Sequence, residues 1–223
     1  MRGLFVTGTG TGVGKTVVAA AVCAALRARG EAVAAWKPVV TGVDEPAAGD
    51  WPADHHLLAA VSGGRPEEVA SFVFGPAVSP HLAARLAGVA IEPSDLVAAA
   101  RARGNGAFLV AEGVGGILVP LTPGYLVRDL ARDLGLPVVV AAAPGLGTIN
   151  HTLLTLEAVR AVGLEVAGVV LTPWPNAPGE LERSNRETIA RLGAATVATL
   201  SPTAPDPEAL AAAGERLPLD DWT

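Results

Sequence analysis

A chain of 223 residues with a formal net charge of -6 and no block of Lys or Arg lacks the basic surface that broad binding of nucleic acid or of a membrane requires. Half of its residues are apolar and only 17% are charged, which excludes a disordered or fibrous protein and suffices for the core of one α/β domain. The single cysteine, Cys23, excludes an intrachain disulfide, and the chain opens on a predicted strand rather than a signal peptide, so we expect a cytoplasmic location.

Predicted strands and helices alternate from one end of the chain to the other. Strands are predicted at residues 4–7, 32–37, 107–111, 137–143, 164–172 and 195–200. Most are apolar at consecutive positions, which is typical of strands that helices cover on both faces. Helices are predicted at residues 15–29, 54–61, 81–86, 125–134, 148–162 and 180–192, and a loop at residues 41–52. The pattern predicts an α/β fold with a mostly parallel, doubly wound sheet, in a single domain over residues 1–223.

The segment GTGTGVGKT at residues 8–16 joins the first predicted strand to the first predicted helix. Its glycines let successive backbone N–H groups turn inward around an anion, and the positive end of the helix points to the same place. Lys15 can then reach the β- and γ-phosphates of a nucleotide, and the Thr16 hydroxyl can bind Mg²⁺. Although Gly8 stands one residue earlier than in the usual motif, the segment predicts a P-loop NTPase-type enzyme. The predicted phosphate contacts are Gly12, Val13, Gly14, Lys15, Thr16 and Val17.

Ligands of an open parallel sheet bind beyond the carboxyl ends of the strands, so the residues at those ends are candidate site residues. The second strand ends at Lys37, which would lie beside the γ-phosphate, with a solvated surface lysine as the alternative. The third strand runs into Glu112, a candidate metal ligand. Three glycines follow it within four residues, among them Gly115, where ligand atoms could approach the backbone closely. A purely structural turn is the alternative there.

Three aspartates compete to be the second carboxylate of the metal site, namely Asp44, Asp50 and Asp54. Asp54 opens the predicted helix at residues 54–61 and could equally be its N-cap. The adjacent His55 and His56 lack the i, i+4 spacing of a metal site, and we predict that both are exposed to solvent.

A second glycine-bearing helix start follows the fourth predicted strand at residues 144–151. The backbone N–H groups around Gly147, Thr148 and Asn150 could hold a carboxylate or a phosphate. The alternative is an ordinary strand-to-helix turn that Thr148 caps.

Four motifs in chain order resemble those of the dethiobiotin synthetase family. They are VTGTGTGVGKT at residues 6–16, Lys37-Pro38-Val39-x-Thr41-Gly42, Glu112-Gly113-x-Gly115-Gly116 and Leu146-Gly147-Thr148-Ile149-Asn150-His151, and Ser79-Pro80-His81 also fits. The resemblance covers nearly the whole chain. It implies an ATP-dependent cyclo-ligase of biotin synthesis that converts 7,8-diaminononanoate and CO₂ to dethiobiotin, with release of ADP and phosphate. The implied intermediates are an amine carbamate and its mixed anhydride with phosphate.

The resemblance also implies roles for the residues at the phosphate end of the site. Lys15 and Lys37 would be the catalytic residues, because two anions meet at the γ-phosphate and positive charge is needed there. Mg²⁺ would be held by Thr16, Glu112 and Asp54.

The remaining implied roles concern the acceptor substrate. Thr11 and Thr41 would bind the carbamate and the diamine. The carboxylate tail would be received by Gly147, Thr148 and Asn150 of a second subunit, which implies a homodimer with sites at the subunit interface.

Two departures from the family pattern stand out. Many members carry acidic residues where this chain has Gly10 and Gly12. Many also have an asparagine after the fifth strand that reads the adenine edge, where this chain has Thr172 and Pro173 as its candidate base contacts. We therefore predict weak selectivity for ATP over other nucleoside triphosphates.

The main alternative is a partition or division-site ATPase switch, which shares the P-loop architecture. Such proteins carry an additional lysine where this chain has Gly10, and they meet DNA or membrane through a basic or amphipathic surface. A cobyrinate-type amide ligase would need a glutaminase domain, for which the chain has no room. A catalytically idle binding protein would not need the full set of phosphate-site side chains.

Overall fold

The computed structural model describes residues 1–45, 49 and 51–223. Its centre is a six-stranded parallel sheet with the strand order β10-β9-β8-β1-β5-β2, and helices lie on both faces. The predicted fold class, a mostly parallel doubly wound α/β sheet, is confirmed. Asp50, one of the three candidate metal carboxylates, lies outside the described residues.

The elements follow one another in an alternating order. The strands are β1 Gly3–Gly8, β2 Val33–Trp36, β3 Val39–Thr41, β4 Phe72–Phe74, β5 Phe108–Glu112, β6 Pro120–Thr122, β7 Tyr125–Leu126, β8 Val138–Ala142, β9 Val166–Leu171 and β10 Val197–Thr199. The helices are α1 Lys15–Ala28, α2 Asp54–Ser62, α3 Pro66–Val69, α4 Pro80–Ala87, α5 Pro93–Arg103, α6 Val127–Leu134, α7 Thr148–Arg160, α8 Glu180–Gly193, α9 Pro207–Gly214 and α10 Leu219–Trp222.

The central strand β1 shows why the sheet needs helices on both faces. Leu4 and Val6 face one core, which α1, α2 and α9 cover, while Phe5 faces the other, which α5 to α8 cover. All three side chains are fully buried. Consecutive apolar side chains of the strand therefore pack into cores on opposite faces of the sheet, as the sequence pattern predicted. Among the described residues, no helix is long and apolar enough to cross a bilayer.

All six predicted strands are present in the main sheet, with ends that differ by a few residues. Two small sheets were not predicted. In one, β3 pairs with β4 in parallel, and in the other β6 pairs with β7 in an antiparallel hairpin. The pairing of β3 with β4 joins segments about thirty residues apart, which a local pattern of apolar residues does not reveal. It places the segment after Lys37 beside residues 72–80, next to the carboxyl edge of the main sheet.

Candidate active site

The strand order brings the predicted site residues to one edge of the sheet. The P-loop follows β1, which lies between β5 and β8. Glu112 is the last residue of β5 and pairs in register with Val6 of β1, so its side chain is adjacent to the start of the loop. Lys37 comes directly after β2, the other neighbour of β5. Because all these strands are parallel, their carboxyl ends meet at the same place.

The P-loop closes on the start of α1 through two glycines with left-handed backbone angles. Gly12 has φ 74° and Gly14 has φ 88°, a region that L side chains rarely adopt. A Cβ on Gly14 would lie 2.6 Å from Cγ2 of Thr172, so the close approach also requires glycine. Lys15 Nζ donates a hydrogen bond to the carbonyl oxygen of Gly10 at 2.7 Å, which folds its ammonium group back over the loop. The first turn of α1 has no acidic residue, and its positive end stays available to an anion.

Four predicted site residues form a polar cluster beside the loop. Lys37 Nζ donates to Glu112 Oε1 at 2.5 Å and also to Asp54 Oδ2, and it lies 3.5 Å from Thr16 Oγ1. Thr16 Oγ1 donates to Glu112 Oε1 at 2.9 Å. Lys37 and Glu112 are buried and the Asp54 side chain is half-exposed. The possibility that Lys37 is a solvated surface lysine is therefore excluded.

The charged groups of this cluster shift one another's pKa values. Burial lowers the pKa of Lys37, but the nearby Glu112 and Asp54 carboxylates outweigh it and raise that pKa above its usual value. Burial raises the pKa of Glu112, and Lys37 offsets only part of that rise. Burial also acts to raise the pKa of Asp54, but the nearby Lys37 ammonium outweighs this effect and lowers the pKa of Asp54. Burial lowers the pKa of Lys15. Lys37 is thus held as a cation in the cluster.

Asp54 is the described aspartate that joins the cluster. It is the first residue of α2, whose N-cap is Ala53, so the N-cap alternative for Asp54 is wrong. Its side chain turns to Lys37 instead. Asp44 packs elsewhere, since Asp44 Oδ2 lies 2.0 Å from the position that a Cβ on Gly75 would take.

The oxygen atoms of the cluster fit a magnesium ion. Two carboxylates and a hydroxyl are hard oxygen ligands, and Mg²⁺ in nucleotide sites is commonly held by one or two carboxylates together with the phosphates. Glu112 Oε2 is buried without a hydrogen-bond partner, so the carboxylate has an oxygen to offer. Within the described part of the chain there is no group of three or more His, Cys, Asp or Glu side chains that could hold a metal ion.

A cavity of about 670 Å³ extends from the cluster. At its phosphate end it is lined by Thr11, Gly12, Gly14, Lys15, Thr16, Val17, Lys37 and Asp54. Its other walls are mostly apolar and are formed by Thr41, Trp51, Pro52, Leu57, Ala77, Val78, Ser79, Pro80, Val114, Gly115 and Val119. The arrangement offers cationic and hydroxyl groups at one end and an apolar channel at the other.

Comparisons with known proteins identify the family of this chain. A family model described as "AAA domain" matches residues 2–208. The ATP-dependent dethiobiotin synthetase BioD of Anaeromyxobacter dehalogenans (strain 2CP-C) is 44% identical over 209 residues, which cover 92% of each chain. The protein of the same name from Bacillus subtilis subsp. natto is 35% identical over 211 residues, covering 91% of this chain and 87% of the other. The chain belongs to the dethiobiotin synthetase family.

Family membership confirms that the chain is a ligase, and it decides against the partition-type ATPase switch. A solved ParA family ATPase from Chlorobium tepidum TLS matches 100% of this chain and 95% of its own, with a TM-score of 0.55 and 10% identity. Identity that low shows a shared fold and nothing about activity.

Some predicted site residues of this family member lie apart from the cavity. Thr172 is buried against Gly14, and Pro173, which follows it through a cis peptide bond, is exposed. The Val13 side chain packs toward Gly8. Val13 belongs to the P-loop and the other two residues border it, but none of the three lines the cavity.

The glycine-bearing start of α7 is also outside the cavity of its own chain. Gly147, with φ 90°, is the N-cap, and Thr148 makes no capping hydrogen bond, so the idea that Thr148 caps the helix is wrong. Its hydroxyl is buried 3.4 Å from that of Thr152, because it sits one residue inside the helix and faces the core. Asn150 is exposed, and the preceding Leu146 is 92% exposed.

Two further points were missed from the sequence. The prediction that both histidines are exposed is wrong for His55, which is buried because it lies on the same face of α2 as Leu58 and Ala59; His56 is exposed. The apolar cavity walls, including Trp51, Ala77 and Val78, carry no motif. Their nearness to Pro52 and Pro80 in irregular segments was the available signal.

Proposed function

We propose that this chain is an ATP-dependent dethiobiotin synthetase, which converts 7,8-diaminononanoate, CO₂ and ATP to dethiobiotin, ADP and phosphate. The relatives that carry this name match the chain over about nine-tenths of its length. The observation that carries the proposal is the cluster of Lys37 with Asp54, Glu112 and Thr16 at the P-loop end of an apolar cavity.

The P-loop residues from Gly12 to Val17 would hold the nucleotide phosphates through their backbone N–H groups. Lys15 would exchange its hydrogen bond to Gly10 for one to the β- and γ-phosphates, since its stem lines the cavity and its ammonium already lies over the loop. The base would lie near Thr172 and Pro173. Thr172 is packed against Gly14 and is poorly placed to read a base edge, which supports weak base selectivity.

Thr16, Asp54 and Glu112 would hold Mg²⁺, which supplies charge neutralisation at the phosphates when bound. The three side chains already direct oxygen atoms at one cation, the Lys37 ammonium. Glu112 supplies a further oxygen atom that has no other partner.

In the proposed reaction one amine of the diamine combines with CO₂ to form a carbamate, losing a proton. A carbamate oxygen attacks the γ-phosphorus and ADP leaves, giving a carbamic-phosphoric mixed anhydride. The second amine then attacks the carbonyl carbon and loses a proton, phosphate leaves and the ureido ring closes. Lys15 and Lys37 stabilise the negative charge where carbamate and γ-phosphate meet, and no covalent nucleophile of the enzyme is required.

Thr11 and Thr41 would orient the acceptor, because both line the cavity beside Lys37. The apolar walls beyond them suit the methylene chain of a diaminononanoate. Its carboxylate tail would meet Gly147, Thr148 and Asn150 of a second subunit at the positive N-terminal end of α7, where Gly147 and Asn150 are exposed. The 92% exposure of Leu146 supports a subunit contact at this helix start. We accordingly propose a homodimer, formed by single-domain subunits in the cytoplasm.

The test is phosphate release with Mg-ATP and bicarbonate, measured with and without 7,8-diaminononanoate, together with detection of dethiobiotin by mass spectrometry. We expect release to depend on the diamine and to match dethiobiotin formation one to one. Release that is the same without the diamine would contradict the proposal and would favour an ATPase switch.

A further inference from the structure

The Lys37 ammonium occupies the point on which the proposed metal ligands converge. Its Nζ atom is within hydrogen-bond reach of Thr16 Oγ1, Asp54 Oδ2 and Glu112 Oε1. These are three oxygens from three separate segments: the P-loop helix, α2 and β5. The site is built around a cation, and a lysine of the same chain provides it.

A divalent ion on the same oxygens and the ammonium cannot be present together. Mg²⁺ binds oxygen at about 2.1 Å and Mn²⁺ at a similar distance, which would place the ion within a few ångströms of Nζ. Like charges that close repel strongly beside the buried Glu112 carboxylate. Lys37 must therefore leave before a metal ion can use both carboxylates.

The cavity gives the Lys37 side chain room to leave the carboxylates. The backbone of Lys37 is fixed, since its N–H group donates to the carbonyl oxygen of Val69 at 2.9 Å, but its side chain lines the cavity together with Lys15 and the P-loop. A triphosphate on the P-loop would offer oxygens to the ammonium there. A free metal ion brings no oxygen atoms that could replace the two carboxylates as hydrogen-bond partners of the Lys37 ammonium.

We propose that Lys37 is the built-in counter-ion of the metal site and keeps free divalent ions out, so that the metal enters only with the nucleotide. Nucleotide binding moves Lys37 from the carboxylates to the phosphates and opens the metal site in the same step. The inference rests on the proposed function in one respect: that the P-loop binds a triphosphate. It makes no use of the acceptor substrate.

The experiment measures Mn²⁺ binding to purified protein by electron paramagnetic resonance, without nucleotide. We expect the wild type to bind Mn²⁺ weakly and Lys37→Met to bind it at least about tenfold more tightly, because the competing cation is gone. The matched control is Lys15→Met, which removes the same charge from the same site. Lys15 acts on the two carboxylates only through its charge and donates its hydrogen bond to Gly10, so Lys15→Met should gain at most about threefold in affinity for Mn²⁺ over the wild type. The double variant Lys37→Met/Glu112→Gln should lose the gained affinity.

A second measurement needs no variant and covers the case in which Lys37→Met does not fold. Wild-type protein is titrated with Mn²⁺ alone and with Mn²⁺ plus a non-hydrolysable ATP analogue, and tight binding is expected only with the analogue. Tight binding of Mn²⁺ alone to the wild type, lost in Glu112→Gln, would overturn the inference. So would a folded Lys37→Met that binds Mn²⁺ no better than Lys15→Met. Because these measurements use no diamine, they test the role of Lys37 even if the protein shows no synthetase activity.

Discussion

Lys37 Nζ and Glu112 Oε1 lie 2.5 Å apart, although 75 residues separate them in the chain. Both side chains are buried, and each would be costly to bury as an isolated charge. Buried ion pairs contribute little net stability compared with apolar packing, so their presence here points to a role in the reaction.

The first prediction concerns Lys37→Ala. We expect turnover to fall by at least about 10²–10³-fold, because an electrostatic contact to the transferring phosphoryl group is lost. The fold should remain, since Glu112 can take up a proton and Asp54 is half-exposed. Steady-state kinetics with circular dichroism on the same sample checks both points. Turnover within a few-fold of the wild type would show that Lys37 takes no part in the reaction.

The second prediction is the pH dependence of the stability of the same variant. Burial raises the pKa of Glu112, and the opposing Lys37 is gone, so the folded protein binds this proton more tightly than the unfolded chain does. Stability must then decrease as pH rises from the ordinary value of 4.5 through the raised folded value. Thermal melting between about pH 4 and 8 should show a downward slope relative to the wild type that Lys37→Ala/Glu112→Gln lacks. Parallel melting curves of the single and double variants would contradict it.

The third prediction compares three glycines of the P-loop. Gly10→Ala should change the free energy of unfolding by less than about 0.5 kcal/mol, because its Cβ meets nothing within 4 Å and no strain arises. Gly12→Ala also has space but has φ 74°, and should cost about 1–2 kcal/mol. Gly14→Ala adds a contact of 2.6 Å with Thr172 to its strain and should cost about 3 kcal/mol or more. Urea denaturation gives the order, and equal values for Gly12→Ala and Gly14→Ala would rule out the Thr172 contact.

The fourth prediction is weak selectivity for the base. Thr172 is buried against Gly14 and Pro173 has no backbone N–H, so this strand end offers few groups to an adenine edge. Turnover with CTP should be comparable to turnover with ATP under matched conditions. A hundredfold preference for ATP would end this hypothesis and require a base-reading group elsewhere.

The fifth prediction tests the subunit contact at α7. Leu146→Asp should weaken dimer formation by at least about tenfold, since burying a leucine contributes roughly 1.5–3 kcal/mol. The matched control is Leu192→Asp, which places the same charge on an exposed leucine of α8 instead of at the start of α7. Analytical ultracentrifugation over a range of concentrations measures both. An unchanged dimer in Leu146→Asp, or a monomeric wild type, would refute the contact.

Much of the site could be read from local features of the sequence. The P-loop is recognisable because glycines, a lysine and a threonine stand between a strand and a helix, and that context is encoded within about ten residues. Lys37 and Glu112 were found because they end predicted strands, and parallel strands present their carboxyl ends together. Thr11 and Thr41 were found through the family resemblance, and both line the cavity.

The sequence by itself determined the six main strands, six of the helices and the residue types at the strand ends, because apolar periodicity and glycine placement act over short windows. The helices α3, α5, α9 and α10 were not predicted, although α5 and α9 cover the two faces of the sheet. Only the tertiary structure decided that Asp54 and not Asp44 meets Lys37, that Trp51 and Val78 line the cavity, and that His55 is buried. Those contacts join segments far apart in the chain. They depend on the order of the strands and on how α2 and the β3–β4 pair pack at the sheet edge, which no local pattern specifies.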